Sequence, residues 1–174
     1  MSNLQIHWDN ICKIYFLTKH YILLSEELSE DFDTFLQPLK EHRDAFDHIA
    51  RVYGQSMLKK ELDDVEKYKE DNMKKAVGHT YRAFFDTADW LSYICRRKIR
   101  EILSKYTREQ IVAKFKEYDS IRKRLNEIPN EIALIRENKD LSDDESVLIT
   151  EVEEYSAVLD ELLNIYDKVH SLFA

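Results

Sequence analysis

The sequence predicts an all-α protein, an antiparallel up-down bundle of four to five long helices forming a single domain over residues 1–174. Two observations carry this. Only two Gly and two Pro occur among 174 residues, which leaves few of the residues that build tight turns and hairpins. Apolar residues recur near the 3.6-residue period through most of the chain, and no stretch alternates at period two between turn residues, so no strand is expected. Hydrophobic residues at 44%, with ten Tyr and eight Phe, supply enough apolar surface to offset chain entropy, so the 34% of charged residues points to solvated helix faces rather than disorder.

Helix one is expected from about Leu4 to Leu28, with Ile11, Ile14, Tyr15, Tyr21, Leu24 and Leu28 on one stripe. The stretch Ser25 to Asp33 is polar enough for a loop. Helix two follows from about Thr34 to Tyr53, with Pro38 in its first turn and Gly54 placed to end it in the left-handed conformation. Its expected buried stripe is Phe35, Leu39, His42, Phe46, Ile49 and Tyr53, with His42 a satisfied core histidine.

From Met57 to Ile102 the helical spacing is sustained and interrupted once, at Glu66 to Lys75, which reads either as an exposed part of one long helix or as a loop between two. Thr107 with Gln110, and Ser142 with Glu145, fit the reciprocal capping pattern and mark two further helix starts. The fourth helix carries Ile111, Phe115, Tyr118, Ile121, Leu125 and Ile128, and Pro129 is expected to kink or end it before Glu131 to Arg136 resume. The last carries Leu148, Val152, Tyr155, Leu159, Leu162, Tyr166, Val169 and Phe173.

Composition also narrows function. The net charge of −8 opposes a sequence-independent grip on DNA, which depends on Lys and Arg neutralising phosphates, so any RNA contact would be local. Sequence-specific DNA recognition is not expected. Arg96-Arg97-Lys98-Ile99-Arg100 and Arg122-Lys123-Arg124 are the basic clusters, read first as solvated helix faces. Cys12 and Cys95 match no metal-ligand or redox spacing, so two buried free thiols and a cytoplasmic location are expected. Lys13, Lys19 and His20 interrupt the apolar run Ile11 to Leu24, against a signal peptide or a membrane span.

Two helices could carry chemistry. On helix two Arg43, Asp47, Arg51, Asp44 and His48 follow one another between about 40° and about 180° from Leu39 on an ideal helix, forming one polar arc. Arg43 with Asp47, Asp47 with Arg51 and Asp44 with His48 are each four apart, which suits ordinary surface pairs. The same arc suits phosphate chemistry, with Asp44 accepting a hydrogen bond that fixes the His48 imidazole and Arg43 presenting a planar fork. On the following helix His79, Arg82, Asp86, Asp89, Trp90 and Tyr93 form a second face of about 100°, suited to core placement, to self-association or to a ligand or nucleic-acid platform.

The segment Arg43-Asp44-Ala45-Phe46-Asp47-His48, in a helix of a small all-helical chain, resembles the HEPN superfamily (higher eukaryotes and prokaryotes nucleotide-binding), whose hallmark is Arg, four to six residues, His. The resemblance implies a metal-independent endoribonuclease, or an RNA-binding component, of a bacterial defence or toxin–antitoxin system, acting as a homodimer whose two motifs share a cleft. Arg43 would then stabilise phosphate charge, His48 would transfer protons and Asp44 would orient the pair. His79, Arg82, Asp86, Trp90 and Tyr93 would support the site or its dimer surface, Trp90 and Tyr93 as part of that surface. No cofactor and no metal is implied.

The rival expectation is a non-catalytic helical interaction protein that self-associates or binds a partner protein. A carboxylate-bridged di-metal bundle would need Glu-x-x-His pairs, and none occurs. Gly-rich phosphate loops and nucleophile motifs are likewise absent from the sequence.

Overall fold

The computed structural model describes residues 3–29, 35–57, 62–139 and 144–174. Among them the chain is all-α, as the sequence predicts. It comprises α1 (Asn3–Leu28), α2 (Leu36–Tyr53), a 3₁₀ turn (Gln55–Met57), α3 (Val65–Leu103), α4 (Arg108–Lys114), α5 (Tyr118–Asn138) and α6 (Glu145–Phe173).

The central element is α3, 39 residues long, which packs against α1, α2 and α6. It starts where Asp64 accepts the amide of Lys67 at 3.0 Å, satisfying one of the free donors of the first turn. Glu66 to Lys75 is therefore helix, resolving the alternative in favour of one long element. Around Phe84, which is fully buried, Tyr21, Phe85 and Tyr155 pack with ring centroids 5.6 to 6.2 Å apart. Each such ring withdraws roughly 150–250 Å² from water, so this aromatic knot is the main apolar anchor of the bundle.

Four hydroxyls on the buried faces are satisfied locally. Thr18, Ser25, Thr80 and Thr87 donate to the carbonyls of Ile14, Tyr21, Ala76 and Ala83, one turn back, at 2.7 to 2.8 Å. Across the α3–α6 contact Tyr81 donates to buried Glu151 at 2.5 Å and Tyr155 donates to Asp89 at 2.7 Å. Lys13 and Asn10 tie α1 to α6 through Glu153 and Glu145.

Several expectations are corrected. The fourth helix breaks at Phe115, whose backbone (φ −126°, ψ 86°) is non-helical, and Pro129 lies inside a continuous α5 rather than ending it. An interior proline costs roughly 3 kcal/mol and lacks the N–H of one helical bond, so α5 keeps a weak point there instead of an end. The Thr107–Gln110 capping box forms as expected and starts the short α4. Ser142 lies outside the described residues, and Asp144 caps α6 by accepting from Ser146. Thr34 and Leu58 also lie outside them.

Gly54 ends α2 at φ −97°, not in the left-handed region. Glycine is required there by proximity, because a Cβ would come within 2.8 Å of the Ala50 carbonyl oxygen. Cys95 is buried, and burial pushes its thiol up to about 12, whereas Cys12 is only half-buried.

The largest correction concerns α2. It buries Pro38, Ala45 and Val52, so the helix is rotated about its axis relative to the stripe expected from its largest apolar residues. Phe46 and Tyr53 are 68% and 71% exposed, and Phe35 and Leu39 are exposed as well. Among the described residues no helix is long and apolar enough to cross a membrane.

Candidate functional site

The rotation of α2 turns Glu41, Asp44 and His48 toward α3. These residues are three and four apart, so they share one helical face. From α3, Asn72, His79 and Arg82 share the facing side by the same rule, and the six side chains meet along the α2–α3 seam.

His48 Nδ1 lies 2.9 Å from Asn72 Oδ1. Asn72 is buried, and its Nδ2 donates to the Tyr68 carbonyl at 2.8 Å, which fixes the amide with its oxygen toward the imidazole. The proton of a neutral His48 therefore sits on Nδ1, and Nε2 keeps its lone pair. The imidazole of His79 stacks on that of His48 with centroids 5.4 Å apart and planes 23° from parallel.

His79 Nδ1 faces both Glu41 Oε2 and a terminal nitrogen of Arg82 at 2.8 Å. One ring nitrogen cannot donate to the first while accepting from the second. We assign its proton to the carboxylate, because a charge-assisted bond is the stronger, and Arg82 then holds the same Glu41 oxygen through Nε at 3.1 Å. Burial alone would raise the Glu41 carboxyl, but the hydrogen bonds and charges of His79 and Arg82 outweigh it and hold it below its ordinary range. Both imidazoles are thus anchored at Nδ1, one by an amide and one by a carboxylate, which fixes tautomer and orientation.

Arg43 is placed differently from the sequence expectation. Its guanidinium turns onto its neighbour Asp44, with Nη2 at 2.7 Å and Nε at 3.0 Å, and its side chain is largely exposed. Asp44 does not hold the His48 imidazole; Asn72 does. The Arg43 hydrogen bond comes first among the influences that hold the Asp44 carboxyl below its ordinary value, and the charges of His79 and His48 add to it. Asp44 therefore connects Arg43 electrostatically to both rings. Asp47 and Arg51 form the expected surface pair at 2.7 Å.

The second group of candidates is divided. His79 and Arg82 join His48, while Asp86 lies one turn further along, its carboxyl raised by burial. Trp90 and Tyr93 lie about 16 and about 21 Å from His79 along the helix, on its rise per residue. There Trp90 stacks between Phe35 and Tyr93, at 5.6 and 5.8 Å. Reasoning from spacing missed Glu41 and Asn72. Glu41 sits two helical turns before His48 on the same face, which was a usable signal; Asn72 had none, being one polar residue among many in the stretch Glu66 to Lys75.

Among the described residues no group of three or more His, Cys, Asp or Glu side chains is arranged to hold a metal ion. Comparison of the chain with protein-family models, curated proteins and solved structures gives no match.

Proposed function

We propose that the α2–α3 seam binds an RNA phosphodiester and promotes its cleavage without metal, the chemistry implied by the HEPN resemblance. The observation that carries this reading is the stacked His48–His79 pair, each ring oriented through Nδ1 from the seam side. Arginine lies on both flanks: Arg82 on Glu41, Arg43 on Asp44.

In the reaction, one imidazole takes the proton of the ribose 2′-hydroxyl as its oxygen attacks phosphorus. The 5′-oxygen bond breaks, and the protonated second imidazole supplies the leaving oxygen with a proton. The products are a 2′,3′-cyclic phosphate and a free 5′-hydroxyl. Proton transfer of this kind contributes about 10²–10⁴-fold in rate. Guanidinium groups serve the developing phosphate charge, and the exposed Arg43 does so by leaving Asp44 for the incoming phosphate. A cytoplasmic RNA of a defence or toxin–antitoxin system is the corresponding substrate class.

Labelled single-stranded RNA incubated with the protein in excess chelator tests the reading. Cleavage with cyclic-phosphate ends is expected, with losses of about 10²-fold or more in His48→Ala and His79→Ala. No cleavage by the unaltered chain, or equal cleavage by both variants, would overturn it.

A second reading, a non-catalytic association module, is favoured by a separate observation: the uncovered apolar surface of α1 and α2.

A further inference from the structure

Both N-terminal helices carry a second apolar face that nothing in the described chain covers. On α2 the exposed Leu39, Phe46 and Tyr53 fall one heptad apart; on α1 so do the exposed pairs Trp8 with Tyr15 and Phe16 with Leu23. The two helices run antiparallel, with the Tyr15 ring 5.2 Å from the His42 ring. Between them lies a groove of about 380 Å³, lined chiefly by Trp8, Tyr15, Phe16, His42, Phe46 and Ile49.

We propose that a second copy of the chain docks on this α1–α2 strip, the two helix pairs packing about a two-fold axis as a four-helix layer. The inference rests on the association reading above and names its partner and its face.

Three observations select a second copy over a small apolar ligand or a short peptide. The strip is longer than the groove: from Trp8 to Leu23 it extends about 22 Å at the helical rise per residue, so a ligand in the groove would leave Leu23, Leu39 and Tyr53 uncovered. Its seven exposed large side chains, from 37% exposed at Trp8 to 71% at Tyr53, present on the order of several hundred Å² per copy, so a symmetric pair approaches the size of stable specific interfaces. Monomers seldom leave so large an apolar patch in water.

The strip is also self-complementary. Phe16 and Phe46, 66% and 68% exposed, project beside the groove they help to line, so each copy offers both the projection and the recess that a two-fold contact requires. By helical geometry Asp9 and Glu27 edge the strip on α1, with Lys19 inside it, while Arg43 edges it on α2, so a carboxylate of one copy can meet a guanidinium of the other when α1 of one lies against α2 of its partner.

This face is not the one expected from Trp90 and Tyr93. Tyr93 is half-exposed, but Trp90 is already engaged with Phe35 inside the chain.

The test is the solution mass of the full chain by light scattering and sedimentation from about 1 to about 100 µM. It is paired with hydrogen exchange of the unaltered protein at both ends of that range. The expected mass is twice 20.9 kDa. It should fall to a single chain in Phe16→Glu/Phe46→Glu, with helical circular dichroism unchanged, and remain double in Tyr93→Ala. Concentration-dependent protection should concentrate in α1 and α2, which decides the matter even if the double variant misfolds.

A single-chain mass throughout would overturn the inference together with the association reading. A double mass that survives Phe16→Glu/Phe46→Glu, or protection centred on Trp90 and Tyr93, would overturn this face alone and leave association standing.

Discussion

The imidazole of His48 lies against that of His79 at 5.4 Å, and the two rings are held from behind by chemically different groups, the Asn72 amide and the Glu41 carboxylate. Each ring is thereby fixed at Nδ1, so the proton exchange that an acid and base pair needs falls to the two Nε2 atoms.

Asn72 is the residue through which this arrangement is most directly tested. Asn72→Ala leaves the half-buried His48 Nδ1–H without its partner, which costs about 1–3 kcal/mol, while the Tyr68 carbonyl keeps the helical amide of residue 72. Urea unfolding should show a lower midpoint at unchanged slope. Any RNA cleavage should fall further than the stability loss explains, because the His48 ring loses its fixed tautomer.

Glu41 predicts an acid limb. Its carboxyl is held below its ordinary 4.5 in the folded chain, so the unfolded chain binds that proton more readily. The stabilisation it provides is complete above pH 4.5 and is lost as pH falls through the folded value. Glu41→Gln should be less stable than the unaltered chain near neutral pH. Unfolding midpoints measured from about pH 6 to about pH 3.5 should decline less steeply for the variant.

His42 acts in a different window. Burial lowers its imidazole below the ordinary 6.5, and its Nε2 is buried without a hydrogen-bond partner. The unfolded chain therefore takes up the proton first, and stability falls as pH drops from 6.5 toward the folded value. His42→Phe should flatten thermal midpoints between about pH 7 and about pH 5, since it removes the titrating group.

Gly54→Ala should destabilise by about 1 kcal/mol, the common scale for a local clash, because the new Cβ meets backbone rather than a movable side chain. Gly78→Ala is the matched control. Its Cβ would lie 3.5 Å from the end of the Arg82 side chain, and alanine is the better helix former, so the midpoint should hold or rise.

The fold was legible wherever one face of a helix meets one layer. In α6 the apolar residues at three- and four-residue spacing are the ones that are buried, because α6 presents a single stripe to α3. α2 shows where that logic fails. Periodicity finds the direction of greatest hydrophobicity, not the direction of the neighbouring helix, and here small Ala45 permits close approach to α3 while Phe46 is left outside. The same rotation explains the site: Arg43 and His48 were visible as a spacing, but the meeting of His48 with Asn72 and of Glu41 with His79 and Arg82 depended on which way α2 faced. Phe115 and Pro129 show a further limit, since a proline is a conspicuous breaker and a phenylalanine that leaves the helical region is not.

The length of α3 sets how the molecule comes apart. Because α1, α2 and α6 all rest on it, their amides should share one slow exchange rate and be released in a single concerted event. By contrast, α5 leans chiefly on α6 and is clamped there by Arg124, which bridges Glu131 and Glu161. With the proline in its middle, it is the segment that peels off first, offering a protease its earliest cut while the remaining helices stay assembled.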